Sequence, residues 1–120
     1  MTVVALILVV DDEPDVLELA ADALSDAGHR VLTAHDGAEA IALIERNPDI
    51  ALIFTDLVMP RVDGLELAAR ARARRPEVKL LYATGYADFA TSKPDAPTAR
   101  ILSKPYRPSQ LEAEVRMLLA

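Results

Sequence analysis

Polar residues of complementary charge follow the short apolar runs of this sequence. Asp11 and Asp12 come directly after "ALILVV", and Asp56 ends "ALIFTD". Thr84 ends "LLYAT", and Lys104 comes directly after "RILS". Carboxylates a few ångströms apart repel each other by about 4 kcal/mol per pair at an effective dielectric constant of about 20. Lys104 or a hard cation such as Mg²⁺ can balance that charge, so this set predicts a cation beside Asp56.

Each of these residues also has an ordinary structural role open to it. Asp11 or Asp12 can cap the first helix, and Asp56 can be a turn residue. Thr84 can be a plain loop residue, and Lys104 can be a surface lysine. The occurrence of all of them at the ends of apolar runs favours a shared site over separate structural roles.

Short apolar runs alternate with helix-like segments along the chain. The runs predict strands at 5–10, 31–34, 50–55, 78–83 and 99–103. The helical pattern predicts helices at 15–27, 38–46, 65–75, 87–92 and 108–119. Gly28 follows the first of them and is predicted to mark its end. Such alternation is typical of an α/β fold whose parallel sheet is covered on both faces. Because parallel strands share one carboxyl edge, the polar residues are predicted to meet there.

Length and composition narrow the class of protein. A chain of 120 residues suits a single domain spanning 1–120, with no output domain. The net charge of −6 argues against binding to nucleic acid through phosphate contacts. The chain has no cysteine and no apolar run of about 18 residues, so we expect a cytoplasmic protein without a membrane span.

Basic residues and histidines outside these runs are predicted to be structural. The stretch "RARARRPEVK" at 70–79 is interpreted as a solvated helix end whose arginines favour the helix dipole. His29 and His35 are predicted to be surface residues.

Four motifs resemble those of the receiver domain of bacterial two-component response regulators. They are "VVDDEPD", "TDLVMPRVDGLEL", "ATGYA" and "SKPY", and the resemblance covers essentially the whole chain. It implies a flavodoxin-like (βα)5 fold, a doubly wound sheet of five parallel strands in the order 2-1-3-4-5. It also implies a phosphoacceptor module that is not an enzyme in the usual sense, because it catalyses only its own phosphorylation and dephosphorylation.

The resemblance assigns roles by position. Asp56 would accept a phosphoryl group from a histidine kinase or phosphotransfer protein, forming an acyl phosphate. The predicted ligands of Mg²⁺, or alternatively Mn²⁺, are Asp11, Asp12, Asp56 and the backbone carbonyl of Val58. The groups predicted to bind phosphoryl oxygens are Lys104, Thr84 and the backbone of Val58 and Gly85. The bond between Lys104 and Pro105 is expected to be cis.

One position departs from the common receiver pattern. Many receivers carry an aromatic residue three positions before the lysine, where this chain has Ile101. The segment "YATGYA" instead resembles the "FAT GUY" group of receivers, so Tyr82 and Tyr86 are predicted moving parts, coupled to the weak helix 87–92. We expect phosphorylation to order residues 85–97. The complete predicted switch and partner face consists of Tyr82, Tyr86, Ile101, Pro105 and Tyr106.

The first helix carries a candidate docking surface for the kinase. Val16, Leu17 and Leu19 place three apolar side chains within four positions, more than one buried stripe requires. Val16 and Leu19 are therefore predicted to contact the kinase. A downstream protein of unknown identity is the other expected partner, and the chain is expected to be a monomer or weak dimer.

Two other functions are compatible with the same residues. One is a Mg²⁺-dependent phosphatase, since small α/β hydrolases also place aspartates after strands, although they usually show Asp-x-Asp and a cap domain. The other is an interaction module that is never phosphorylated. The complete set of acids, threonine and lysine argues against that second possibility.

Overall fold

The computed structural model of this chain describes residues 4–59, 61–85 and 100–120. Its strands are β1 (Leu6–Val10), β2 (Arg30–Ala34), β3 (Ile50–Asp56), β4 (Lys79–Thr84) and β5 (Arg100–Ser103). Its helices are α1 (Pro14–Asp26), α2 (Gly37–Arg46), α3 (Gly64–Arg74) and α4 (Pro108–Leu119). The predicted helix at 87–92 lies outside the described residues.

The five strands form one parallel sheet in the order β2-β1-β3-β4-β5. This is the flavodoxin-like order that the resemblance implies, and it confirms the predicted fold. The inner strands β1, β3 and β4 are buried over nearly their whole length, as their unbroken apolar runs predict. The edge strands β2 and β5 are partly exposed because only one neighbouring strand covers each of them.

The sheet separates two apolar cores. Alternate strand residues, such as Ile7 and Val9 of β1, pack with α1 and α4 on one side. The residues between them, such as Leu8 and Val10, pack with α2 and α3 on the other side. We call these the α1/α4 side and the α2/α3 side of the sheet.

The start of α1 contradicts the alternative in which Asp11 or Asp12 caps this helix. The helix begins at Pro14, one residue earlier than predicted, because the fixed φ of proline suits the first helical position. Glu13 is the N-cap residue, and its side chain makes no capping hydrogen bond. Neither Asp11 nor Asp12 is therefore the N-cap residue of α1, and Asp11 instead accepts a hydrogen bond from the Glu13 N–H at 2.9 Å.

The other helix ends follow their local sequence. Asp36 accepts a hydrogen bond from the Glu39 N–H at 2.8 Å at the start of α2. Asp63 accepts from the Glu66 N–H at 2.9 Å at the start of α3. Gly28 follows the end of α1 with φ of 99°, a left-handed conformation that glycine adopts without steric cost, as predicted for this position. The Lys104–Pro105 peptide bond is cis, which also confirms a prediction.

Arg75 departs from the predicted solvated helix end. Its guanidinium donates to the backbone carbonyls of Ile50 at 2.9 Å, Asn47 at 3.0 Å and Ile44 at 3.2 Å. It therefore joins the end of α2, the start of β3 and the end of α3. The neighbouring Arg74 is exposed, as predicted.

The two histidines differ in environment. His35 is exposed, as predicted, whereas His29 is half-buried. The Nδ1 atom of His29 accepts a hydrogen bond from the Ala5 N–H at 3.2 Å, so this partly exposed side chain also contacts the backbone before β1. Within the described ranges, no helix is long and apolar enough to cross a bilayer.

Candidate functional site

The polar residues predicted from the sequence meet at the carboxyl edge of the sheet. Asp56 is the last residue of β3, and Thr84 is the last residue of β4. Asp11 follows β1 and its N–H donates to the Ala34 carbonyl at 3.2 Å, so the ladder continues past the strand. Lys104 follows β5 and its N–H donates to the Thr84 carbonyl at 2.9 Å. The parallel topology thus places these backbones side by side.

Lys104 lies between the carboxylates of this edge. Its Nζ atom is 3.0 Å from Asp11 Oδ2 and 3.0 Å from Asp56 Oδ2. A longer contact of 3.4 Å joins it to Glu13 Oε1. Charge-assisted hydrogen bonds of this length hold the ammonium group in the centre of the acids.

The acids form a compact cluster around this lysine. Carboxylate oxygens of Asp11, Asp12, Glu13 and Asp56 lie within 4.8 Å of one another. Glu13 was not among the site residues predicted from the sequence, although its place directly after the two aspartates was a usable signal. One ammonium group does not balance four negative charges, and hard oxygen donors at this separation suit Mg²⁺.

The electrostatics of the cluster reflect its burial. Asp11 is 4% exposed, and this desolvation raises the pKa of its carboxyl above the ordinary value. The hydrogen bonds that it accepts from the Glu13 N–H and from Lys104 oppose the increase. For Lys104, burial lowers the pKa, but the hydrogen bonds to Asp56 and Asp11 outweigh burial, so the pKa is raised. Lys104 therefore remains charged at neutral pH.

An open cavity of about 440 Å³ lies over the cluster. The residues that line it are Asp12, Glu13, Asp56, Val58, Gly85 and Lys104. The Val58 N–H donates to Asp56 Oδ1 at 3.3 Å, so the two oxygens of this carboxylate have different partners. Thr84, in contrast, is fully buried beneath the edge.

A close backbone approach shapes the loop after β3. A Cβ atom on Gly64 would lie 2.4 Å from the Asp56 carbonyl oxygen, which is closer than any side chain allows. The Gly64 N–H donates to the Leu57 carbonyl at 2.9 Å. Glycine at this position therefore lets α3 start directly against the strand that carries Asp56.

The predicted switch and partner face has mixed exposure. Tyr82 is 3% exposed and Tyr106 is 9% exposed, so neither ring is on the surface in this conformation. Ile101 is half-buried and Pro105 is exposed. Tyr86 lies outside the described residues. The predicted switching roles of these residues remain predictions.

The exposure of α1 agrees with the pattern behind the docking prediction. The buried stripe of the helix consists of Leu17, Ala20 and Leu24. Leu19 is 47% exposed, and Val16 is half-buried. An apolar side chain therefore projects from the helix that begins beside the acidic cluster.

Comparison with known proteins identifies the family. The sequence model described as "Response regulator receiver domain" matches residues 7–116. This chain belongs to the response regulator receiver domain family. It is therefore a receiver domain of two-component signal transduction, which is a signalling domain and not an enzyme in the usual sense. The phosphatase alternative loses its support.

Three relatives illustrate where this receiver type occurs. The "Response regulator receiver protein CpdR" of Brucella abortus is 37% identical over 115 residues, covering 94% of this chain and 95% of CpdR. The "Transcriptional regulatory protein TcrA" of Mycobacterium tuberculosis is 36% identical over 93% of this chain, which spans only 45% of TcrA. The crystal structure of the receiver domain from "Hybrid Histidine Kinase CckA" has a TM-score of 0.84 and 32% identity, covering 97% of this chain and 100% of that one.

Family membership also bears on partners and metal. Receiver domains interact with histidine kinases or phosphotransfer proteins, and they generally bind Mg²⁺. In this chain the cluster that contains Asp11, Asp12 and Asp56 has the donor chemistry to bind a metal ion.

Proposed function

We propose that this receiver domain accepts a phosphoryl group on Asp56 from a histidine kinase or phosphotransfer protein. The observation that carries the proposal is the position of Lys104, whose ammonium group is 3.0 Å from both Asp11 Oδ2 and Asp56 Oδ2. A cation shared by two carboxylates at the mouth of a cavity can move towards a new anionic group without leaving the site.

The chemical step needs little covalent work from the protein. An oxygen of the Asp56 carboxylate attacks phosphorus, and the P–N bond to the donor histidine breaks. Its electron pair returns to the imidazole ring, and an acyl phosphate forms. Because phosphoryl transfer depends mainly on positioning and charge neutralisation, the surrounding groups of this chain provide most of the catalysis.

Each neighbouring group has a role in that neutralisation. Lys104 binds one phosphoryl oxygen, and the Thr84 hydroxyl binds another. The backbone N–H groups of Val58 and Gly85 contact the phosphoryl group in the cavity. Val58 and Gly85 line this cavity beside Asp56, which supports their assignment.

The acidic cluster would hold Mg²⁺, with Mn²⁺ as an alternative. The ligands are Asp11, Asp12, Asp56 and the backbone carbonyl of Val58. When bound, the metal neutralises negative charge on the carboxylates and on the incoming phosphoryl group. The four mutually close carboxylates support this assignment.

Partner contacts follow from the same geometry. We assign kinase docking to Leu19 and Val16 on α1, because this helix starts beside the cluster and Leu19 is exposed. A downstream protein reads the face of β4, the predicted helix 87–92, β5 and α4, with Tyr82 and Tyr86 as moving parts. We propose that the chain acts in the cytoplasm as one receiver unit over residues 1–120.

Intact-mass measurement after incubation with acetyl phosphate and Mg²⁺ tests the acceptor. We expect one added phosphoryl group on the wild-type protein and none on Asp56→Asn or in the presence of EDTA. Asp22→Asn, which changes an exposed aspartate of α1 in the same way, is the matched control and should be phosphorylated normally. A phosphoryl group on Asp56→Asn would contradict the assignment of the acceptor.

If the wild-type protein shows no stable adduct, the release of free phosphate distinguishes the alternatives. Steady release of phosphate without a stable adduct on the wild-type protein would indicate rapid turnover. Absence of both adduct and release would favour an interaction module that is not phosphorylated by small donors.

A further inference from the structure

Tyr106 carries a hydroxyl group that the resting site does not use. The side chain is 9% exposed, and its hydroxyl has no hydrogen-bond partner in the part of the chain that the structure describes. The ring packs edge-on against Phe54, with 5.5 Å between the ring centroids. Phenylalanine would fill the same apolar space without burying a polar atom, so the hydroxyl adds nothing to the packing of the resting core.

Tyr106 lies on the same side of the sheet as the charged groups of the site. Its ring belongs to the core on the α1/α4 side, together with Val9 of β1 and Phe54 of β3. Because side chains alternate along a strand, residues two positions further on continue the same face. These residues are Asp11 after Val9 and Asp56 after Phe54.

The hydroxyl and the site interact electrostatically. Burial raises the pKa of Tyr106 to about 12, and the negative charge of Asp11 is the next largest cause. Lys104 lowers the pKa and Asp56 raises it, both with smaller effects. At neutral pH the hydroxyl therefore keeps its proton and remains a potential donor on the Asp11 side of the site.

We propose that Tyr106 is a positioning residue whose hydroxyl donates a hydrogen bond to the Asp11 carboxylate in the phosphorylated state. The inference rests on the proposed function, because it needs Lys104 to move towards a phosphoryl group on Asp56. In the resting site Asp11 accepts from Lys104 at 3.0 Å and from the Glu13 N–H at 2.9 Å.

Movement of Lys104 would leave one Asp11 oxygen without its donor. Asp11 is only 4% exposed, so bulk water has little access to that oxygen. Tyr106 supplies a buried donor on the same side of the sheet. A hydrogen bond from its hydroxyl would keep Asp11 oriented towards the metal while Lys104 binds the phosphoryl group.

Tyr106→Phe tests the inference because it removes the hydroxyl and keeps the ring. Without ligand, we expect a melting temperature at or above that of the wild-type protein, since the Tyr106 hydroxyl has no hydrogen-bond partner among the described residues. With Mg²⁺ and beryllium trifluoride, a mimic of the phosphoryl group, we expect the affinity measured by calorimetry to fall about tenfold, because a hydrogen bond to a charged group is missing.

Tyr106→Leu separates the ring from the hydroxyl. This variant also loses the packing against Phe54, so its melting temperature without ligand should fall below that of Tyr106→Phe. Comparison of the two variants distinguishes a general packing role from a role confined to the phosphorylated state.

Two results would overturn the inference alone. One is an unchanged affinity of Tyr106→Phe for beryllium trifluoride. The other is a lower melting temperature of Tyr106→Phe without ligand, since the hydroxyl would then be used at rest. Failure of the wild-type protein both to bind beryllium trifluoride and to be labelled by acetyl phosphate would overturn the proposed function, and this inference with it.

Discussion

Charged side chains have different partners at the two edges of the sheet. At the amino edge, the guanidinium of Arg75 donates to three backbone carbonyls, which belong to Ile44, Asn47 and Ile50. At the carboxyl edge, four carboxylates lie within 4.8 Å of one another, and the ammonium group of Lys104 contacts those of Asp11, Glu13 and Asp56. The first arrangement satisfies backbone acceptors at helix and strand ends, whereas the second concentrates negative charge.

This difference separates stability from function. Backbone carbonyls that are buried without a donor cost free energy, so Arg75 stabilises the fold by satisfying them. Carboxylates buried together also cost free energy, because each is desolvated and repels the others. Under the proposed function, the carboxylates remain together at the carboxyl edge despite this cost in free energy, because a metal ion and a phosphoryl group bind there. Removal of the buried charge at each edge, Arg75 at one and Asp11 at the other, should therefore change stability in opposite directions.

The largest effect is expected at the amino edge. Arg75→Ala removes the donor of three carbonyls and should lower the free energy of unfolding by about 3 kcal/mol. Urea unfolding followed by circular dichroism measures the change. Arg72→Ala, at an exposed position of the same helix end, is the control and should change stability by no more than about 0.5 kcal/mol. Equal effects of the two substitutions would show that the carbonyl contacts do not stabilise the fold.

A steric change at the carboxyl edge should have the next largest effect. In Gly64→Ala the new Cβ atom would meet the Asp56 carbonyl oxygen at 2.4 Å. Backbone must shift to relieve this contact, so we expect a loss of about 2 kcal/mol in the same unfolding measurement. Gly85→Ala is the matched control, because a Cβ atom there has no described atom within 4 Å. A destabilisation by Gly85→Ala as large as that by Gly64→Ala would exclude the steric explanation.

Removal of charge at the carboxyl edge should have the smallest effect and the opposite sign. Asp11→Asn removes a buried carboxylate whose pKa is raised, and should increase the free energy of unfolding at pH 7 by about 1 kcal/mol. A raised pKa means that the folded state binds more protons than the unfolded chain above the ordinary value of 3.8. The contribution of Asp11 to stability therefore falls as pH rises through this window.

Unfolding measured from pH 4 to pH 7 tests both the sign and the slope. The wild-type protein should lose stability relative to Asp11→Asn as the pH rises. Asp12→Asn, at the exposed neighbouring acid, is the matched control for loss of a carboxylate that is not buried. A variant Asp11→Asn that is less stable than the wild-type protein at pH 7 would show that the pair with Lys104 outweighs the burial of Asp11.

The sequence predicted the bounds of some elements of the fold more accurately than those of others. Unbroken apolar runs located β1 and β3 to within one residue, because strands covered on both faces need apolar residues at every position. Gly28 marked the end of α1, since few other residues adopt its left-handed conformation. The exact start of α1 was misjudged, because both proline and the preceding acids are compatible with a first turn.

The chain by itself determined which chemical groups lie at each strand end, since the apolar periodicity defines the strands and parallel strands share a carboxyl edge. Only the tertiary structure decided that Lys104 contacts Asp11, Asp56 and also Glu13, which is 91 positions away. It also decided that Arg75 binds carbonyls instead of water, and that the Tyr106 hydroxyl is buried. The reason is that such contacts depend on how the helices pack and on the relative positions of segments far apart in sequence. Local sequence patterns do not encode either of these.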